Sequence, residues 1–290
     1  MWGKKPEKLQ FFSDISHLMT KSLDNEGLRS IVENYDFFFI DLWGVVHNGI
    51  KLHENAIEAL NEISNAKKNY VLLTNAPRPN KNVKIFLEKM GMDKSIFEKV
   101  YTSGEAALNY LKKNYLNDKF YHIGPPRDFD LFLDFKENKK ENIDECSFFL
   151  CTGLFDKYDQ DLNYYKELLN SFISKKMICT NPDLMVDRGE KREFCAGSVA
   201  MVFEKMGGQV VYFGKPFPEV YNQSIDKNKK KILAIGDNLN TDIKGANNMN
   251  YDSMIIVNGI HKEEIQKDGI DKVSKNYQVL VNFMQSELKW

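Results

Sequence analysis

A doubly wound parallel α/β sheet carrying an inserted second α/β unit is the architecture this sequence predicts, on three observations. Short apolar runs end on polar residues, helix-sized amphipathic segments alternate with those runs, and a middle stretch carries strands of its own. The first run, Phe37-Phe38-Phe39-Ile40, is apolar throughout and ends on Asp41, as a parallel strand buried on both faces should. A helix follows, with Ala56, Ile57, Leu60 and Ile63 at helical spacing. The chain then passes through Lys67-Lys68-Asn69 to Tyr70-Val71-Leu72-Leu73 and the polar pair Thr74-Asn75, closed by Pro77 and Pro79. This is a β-α-β unit. Val83, Phe86, Leu87 and Met90 mark the next helix, and Gly91 stands where a left-handed cap is wanted. Three further runs, residues 210–213, 232–235 and 254–257, read as later strands of the same sheet.

Between the two groups lie strands at 120–123, 147–150 and 177–179 and a helix at about 162–173. The expected division is therefore a core of residues 1–105 with an N-terminal helical extension, an inserted unit of 106–193, and a second core segment of 194–290. The lysine- and asparagine-rich patches at 136–142 and 227–231 read as solvated loops.

Composition narrows the classes of function. The 290 residues are 42% hydrophobic and 28% charged, the balance of a folded globular protein. A formal net charge of -1 offers no global field for a nucleic-acid backbone, so nucleic acid is not an expected partner. No apolar run approaches the roughly 18–20 residues that span a bilayer, and the lysine-rich start lacks the apolar stretch of a signal peptide, so no membrane association and a cytoplasmic location are expected. Cys146, Cys151, Cys179 and Cys195 form no CxxC pair and read as reduced packing residues.

In open parallel sheets ligands bind beyond the carboxyl ends of the strands, and four such ends here are unusual. They carry Asp41, Thr74 with Asn75, Lys215, and Asp237 with Asp242. Carboxylates from separate strand ends suit Mg²⁺, a hard cation that prefers oxygen ligands. A carboxylate can also accept a phosphoryl group, and a metal plus a lysine would offset the charge of that encounter. Thr74 and Asn75 offer hydroxyl and amide donors to phosphoryl oxygens, and Gly44 lets backbone approach closely. A phosphoacceptor signalling domain also uses Asp, Thr and Lys around Mg²⁺, but such receivers are about half this size and lack a GDNLNTD-like segment after the lysine.

The segments FFFIDLWGVVHNG, VLLTNAP, VVYFGKPFPEVY and ILAIGDNLNTD resemble the four motifs of the haloacid dehalogenase superfamily. TNAPRPN and the NPD at Asn181-Pro182-Asp183 resemble its NagD-like branch, sugar, nucleotide and pyridoxal phosphate phosphatases with an α/β cap inserted into the Rossmann-like core. The resemblance covers about residues 30–265. It implies an Mg²⁺-dependent phosphatase acting on a small phosphorylated metabolite through an aspartyl-phosphate. Asp41 would be nucleophile and metal ligand, Trp43 a ligand through its carbonyl, Asp237 the further ligand and Asp242 a ligand or anchor beside the metal. Thr74 and Asn75 would bind the phosphoryl group, Lys215 would orient it, and Asp183 would face the substrate from the cap. Caps of this branch often mediate dimers, which leaves room for a homodimer.

One position departs from the pattern. The motif D-x-D-G has an acid/base aspartate where this chain has Trp43, and an indole cannot transfer protons near neutral pH. General acid–base catalysis is typically worth ~10²–10⁴ in rate. Three readings follow: substrates with good leaving groups, a substitute acid from the cap or His47, or a site that binds a phosphorylated ligand with little or no turnover.

Overall fold

A computed structural model of the chain describes residues 19–188, 191–225 and 231–290. The expected N-terminal extension and residues 227–230 of the second lysine-rich patch lie outside the described residues. Strands are β1 (Lys21–Ser22), β2 (Phe37–Ile40), β3 (Asn69–Thr74), β4 (Val100–Thr102), β5 (Phe120–Ile123), β6 (Phe148–Cys151), β7 (Lys176–Cys179), β8 (Met185–Arg188), β9 (Lys191–Phe194), β10 (Gln209–Tyr212), β11 (Ile232–Gly236), β12 (Asp252–Ile256) and β13 (Phe283–Gln285). A seven-stranded sheet of order β1-β13-β12-β11-β2-β3-β4 is parallel throughout. The order runs outward in both directions from β2 and β11, so the doubly wound architecture has its switch point between those two strands.

The β2 sequence explains its central place. Successive side chains of a strand point to opposite faces. Phe38 and Ile40 enter a core with Ala56, Leu60, Ile63, Val83 and Leu87 from the helices Glu54–Asn65 and Asn80–Lys89. Phe37 and Phe39 enter another with Ala106, Ala107 and Leu111 of Ser103–Asn114 and with Val220 and Tyr221 of Pro218–Ser224. Both faces are covered, which is why an uninterrupted apolar run is tolerated here.

A separate parallel sheet has the order β10-β7-β6-β5, and an antiparallel hairpin pairs β8 with β9. One face of the four-stranded sheet shares the Phe37–Phe39 core through Phe120, Phe148 and Ile178. The other buries Phe149, Cys151, Met177 and Cys179 against the helices Leu162–Leu169 and Ala196–Lys205. All four cysteines are free and buried, in the packing role expected of them.

One strand departs from the expectation. The sequence places residues 210–213 in the core sheet, but β10 pairs with β7, Gln209 to Tyr212 in register with Lys176 to Cys179. With it the second sheet extends to residue 212, past the expected boundary at 193. The physical reason is visible in its burial: β10 is exposed at Gln209 and only half-buried beyond, as an edge strand is, whereas β2 and β11 are buried at every position. Its apolar residues alone do not say which sheet it joins.

At the carboxyl edge of the second sheet, His122 and Asp128 are buried, and His122 Nε2 shares a 2.8 Å hydrogen bond with Thr152 Oγ1. Burial pushes the His122 imidazole down to about 4 and the Asp128 carboxyl up to about 6. An unfolded histidine takes up a proton near pH 6.5 that folded His122 refuses until about 4. Acidification through that window therefore costs stability, by up to roughly 3 kcal/mol. Asp128 acts oppositely: the folded carboxyl keeps its proton up to about 6, so its contribution is lost as pH rises from about 4 to 6. Thermal melts from pH 7 to 4.5 should show a shallower acid loss in His122→Asn than in wild type and a steeper one in Asp128→Asn.

Among the described residues, no helix is long and apolar enough to cross a membrane.

Candidate active site

The Asp41 N–H donates to the Ile235 carbonyl at 2.9 Å, the last rung between β2 and β11, and the chain then leaves the sheet beside Asp237. Asp41, Asp237 and Asp242 are all buried, and each offers a carboxylate oxygen within 4.8 Å of the others. Two glycines permit this crowding. Gly44 has φ +83°, and a Cβ there would lie 2.2 Å from Asp237 Oδ2, as would one at Gly259. The Ile260 N–H donates to the same oxygen at 3.0 Å and fixes the Asp237 rotamer.

Lys215 reaches this cluster from the loop after β10. Its ammonium donates to Asp41 Oδ1 and Asp242 Oδ1 at 2.6 Å each and to the Leu73 carbonyl at 2.9 Å, which uses all three of its protons. Asn75 anchors the lysine loop: its Oδ1 accepts from Lys215 N at 2.7 Å, and its Nδ2 donates to the Lys215 carbonyl at 3.0 Å and to Asp183 Oδ1 at 3.1 Å. The Asn75 amide, expected to serve the phosphoryl group, is thus committed to Lys215 and Asp183. Thr74 Oγ1 accepts from Ala76 N at 3.2 Å, and its hydroxyl proton remains available.

Three carboxylates around one ammonium carry excess negative charge away from water. Burial, opposed by Lys215 and reinforced by Asp242, pushes Asp41 up to about 8. Burial and then the Asp41 and Asp242 charges raise Asp237 well above the usual carboxylate range. Burial opposes the Lys215 charge, yet the carboxylates of Asp242, Asp41 and Asp183 together raise its pKa. A hard divalent cation with oxygen ligands is the group this donor set fits.

The surrounding cavity, of about 220 Å³, is lined by Asp41, Trp43, Gly44, Thr74, Asn75, Lys215, Asp237 and Asp242 from the core side. Asp183, Met185, Val186 and Asp187 line it from the segment that carries the hairpin. Asp183 is half-buried there, and burial raises its carboxyl to about 6.

The comparisons with known proteins agree with this layout. A haloacid dehalogenase-like hydrolase model matches residues 38–135, and a related HAD-hydrolase-like model matches residues 212–280. The crystal structure of a haloacid dehalogenase-like hydrolase from Brucella suis 1330 superposes with a TM-score of 0.73 at 32% identity, over 81% of this chain and 90% of that one. This chain belongs to the haloacid dehalogenase-like hydrolase family. Phosphoglycolate phosphatase 2 from Arabidopsis thaliana is 24% identical over 88% of this chain and 93% of its own. The fold is also that of glycerol phosphate phosphatase Rv1692 from Mycobacterium tuberculosis in complex with magnesium, with a TM-score of 0.61 at 21% identity over 79% and 70% of the two chains.

In this haloacid dehalogenase-like hydrolase, every residue expected at the site lines the cavity except His47. His47 is buried, its Nδ1 accepts from Gly49 N at 2.9 Å, and its ring packs edge-on against Trp43. Burial pushes it down to about 4, so it is neutral at pH 7 and lies outside the lining as a substitute acid. Sequence reasoning missed Met185, Val186 and Asp187. MVDR and KREF, two four-residue runs separated by Gly189-Glu190, are the hairpin signal that could have found them.

Proposed function

We propose that the chain is an Mg²⁺-dependent phosphatase of small phosphorylated metabolites that works through an aspartyl-phosphate on Asp41. The observation that carries this reading is the cluster of Asp41, Asp237 and Asp242 at the switch point of the sheet, with Asp41 and Asp242 paired to Lys215. The carboxylates of Asp41 and Asp237 and the carbonyl of Trp43 would hold the cation, and the magnesium in the mycobacterial relative supports that choice. Asp242 has Oδ1 on Lys215 and Oδ2 on the Asn238 N–H at 3.1 Å, which suits an anchor beside the metal. When bound, Mg²⁺ supplies charge neutralisation and polarisation of a phosphoryl oxygen.

An Asp41 carboxylate oxygen attacks phosphorus, the bond to the leaving oxygen breaks, and that oxygen departs as the anion and takes its proton from solvent water. Water then attacks the aspartyl-phosphate, releasing inorganic phosphate and restoring Asp41. Lys215 holds the Asp41 carboxylate in place through both steps, and Thr74 donates to the phosphoryl group. The four-stranded unit, about residues 120–212, acts as the cap over the leaving group.

Trp43 donates no proton, so turnover should depend on the leaving group. An aryl phosphate is expected to be hydrolysed on the order of 10²-fold faster than an alkyl phosphate of similar size. Initial rates of phosphate release with Mg²⁺, against an Asp41→Asn control, check this. Equal rates with chemistry limiting would mean that an acid is present, and Asp183 is the cavity-lining group whose raised carboxyl suits it. Loss of alkyl turnover in Asp183→Asn would identify it. Tight Mg²⁺-dependent binding of phosphate esters without turnover would replace the phosphatase reading with that of a binding protein.

A further inference from the structure

The residue in place of the usual acid is built into its loop. Gly49 has φ +84°, and a Cβ there would lie 2.6 Å from both Cζ2 and Cη2 of the Trp43 indole, so the glycine clears the space the ring occupies. His47 closes on the ring edge-on at 5.1 Å between centroids, and the Gly44 N–H donates to the His47 carbonyl at 2.8 Å, which folds the loop around the indole. The ring is therefore held in one orientation by its own loop. In that orientation its Nε1–H donates to the backbone carbonyl of Asp187 at 2.5 Å, a contact between the end of β2 and strand β8.

The far side of that contact shapes the cavity. Met185, Val186 and Asp187 form its wall opposite the strand ends. The hairpin is braced on its own sheet by register pairing of Asp187 with Arg192, whose Nε and Nη2 also donate to the Asp187 carboxylate at 2.7 and 3.0 Å. A hydrogen bond from the core to the Asp187 carbonyl thus ties a paired hairpin, and not a lone strand, to the end of β2. The cavity volume of about 220 Å³ is below the ~300–1,000 Å³ typical of pockets for drug-sized ligands.

We propose that Trp43 is a positioning and specificity-determining residue whose indole N–H fastens the β8–β9 hairpin over Asp41, so that the cavity admits compact phosphate esters and excludes bulky ones. The consequence for substrate size rests on the phosphatase reading; the fastening itself does not. An aspartate at position 43 could not make the same contact, because the indole N–H lies two bonds beyond Cγ, whereas a carboxylate oxygen lies only one bond beyond it and, when ionised, donates nothing. Substitution toward the usual motif therefore gains an acid and releases the wall.

Hydrogen exchange and kinetics together test this, in Mg²⁺ and on the full chain. In wild type, the Trp43 indole N–H resonance, identified by its loss in Trp43→Phe, should be protected from solvent exchange. Trp43→Phe keeps an aromatic ring in the loop but removes the donor. Backbone amides of β8 and β9 should exchange roughly 2–10-fold faster in it, the net worth of one hydrogen bond, with β2 and β11 unchanged. The ratio of KM for a bulky aryl phosphate to KM for a compact one should fall by a similar factor. An indole N–H in free exchange in wild type, or identical β8–β9 exchange in both proteins, overturns the fastening. Faster exchange with an unchanged KM ratio overturns the role in specificity. Absence of turnover in wild type defeats the phosphatase reading and the size role built on it, while the exchange arm still decides the fastening.

Discussion

Replacing Asp41 with asparagine is expected to lower phosphate release by on the order of 10⁴-fold or more while leaving the fold intact. The amide matches the carboxylate in shape but is a far poorer nucleophile toward phosphorus, and loss of a nucleophile is among the costliest single changes to an enzyme. The stability prediction points the other way. Asp41 is buried beside Asp237 and Asp242, and burial pushes its carboxyl up to about 8, so near neutral pH the metal-free fold must hold a proton there that the unfolded chain gives up, a cost that the neutral amide removes. Melting in the presence of a chelator should therefore show Asp41→Asn at least as stable as wild type. Retained phosphate release would mean that the nucleophile lies elsewhere.

Replacing Lys215 with methionine should damage both stability and turnover. The ammonium is 4% exposed and ion-paired to two carboxylates at 2.6 Å, so its removal leaves Asp41 and Asp242 buried without their cation. Breaking a buried pair from one side typically costs ~3–5 kcal/mol, a large part of the ~5–15 kcal/mol that holds a domain together. The melting temperature without metal should fall by about 10 °C. Mg²⁺ should restore part of the loss, because it neutralises the same carboxylates. Phosphate release should fall by ~10²–10³-fold even where the protein is folded, since the groups that orient the phosphoryl transfer are no longer fixed. A variant as stable and as active as wild type would contradict the placement of Lys215 at the centre of the site.

The parts of the fold that are legible in the sequence are those in which burial is complete. Phe37 to Ile40 on β2 and Ile232 to Gly236 on β11 are buried along their whole length, and an unbroken apolar run is the trace this leaves. Short or half-exposed strands leave no such trace. Lys21–Ser22 of β1 and Phe283–Gln285 of β13 are too short and mixed to stand out, and β10 has the apolar residues of a core strand but the exposure of an edge. The site is legible for a geometric reason. Asp41 and Asp237 each follow a central strand, and neighbouring strand ends at a switch point must lie side by side. The tie between Trp43 and Asp187 is not legible, because it joins an indole to a backbone carbonyl 144 positions away, and a carbonyl has no residue identity. The commitment of Asn75 to Lys215 and Asp183 is hidden similarly, since an amide can serve phosphate or protein equally well.

In the proposed mechanism Asp41 carries the phosphoryl group during turnover. Wild-type protein mixed with an aryl phosphate and Mg²⁺, quenched in acid during steady-state turnover and digested, should yield the peptide containing Asp41 heavier by one phosphoryl group. The modification should sit on Asp41 and be missing both in Asp41→Asn and when a chelator replaces Mg²⁺. Steady release of phosphate with that peptide unmodified, or with the phosphoryl group on another residue, would contradict the account.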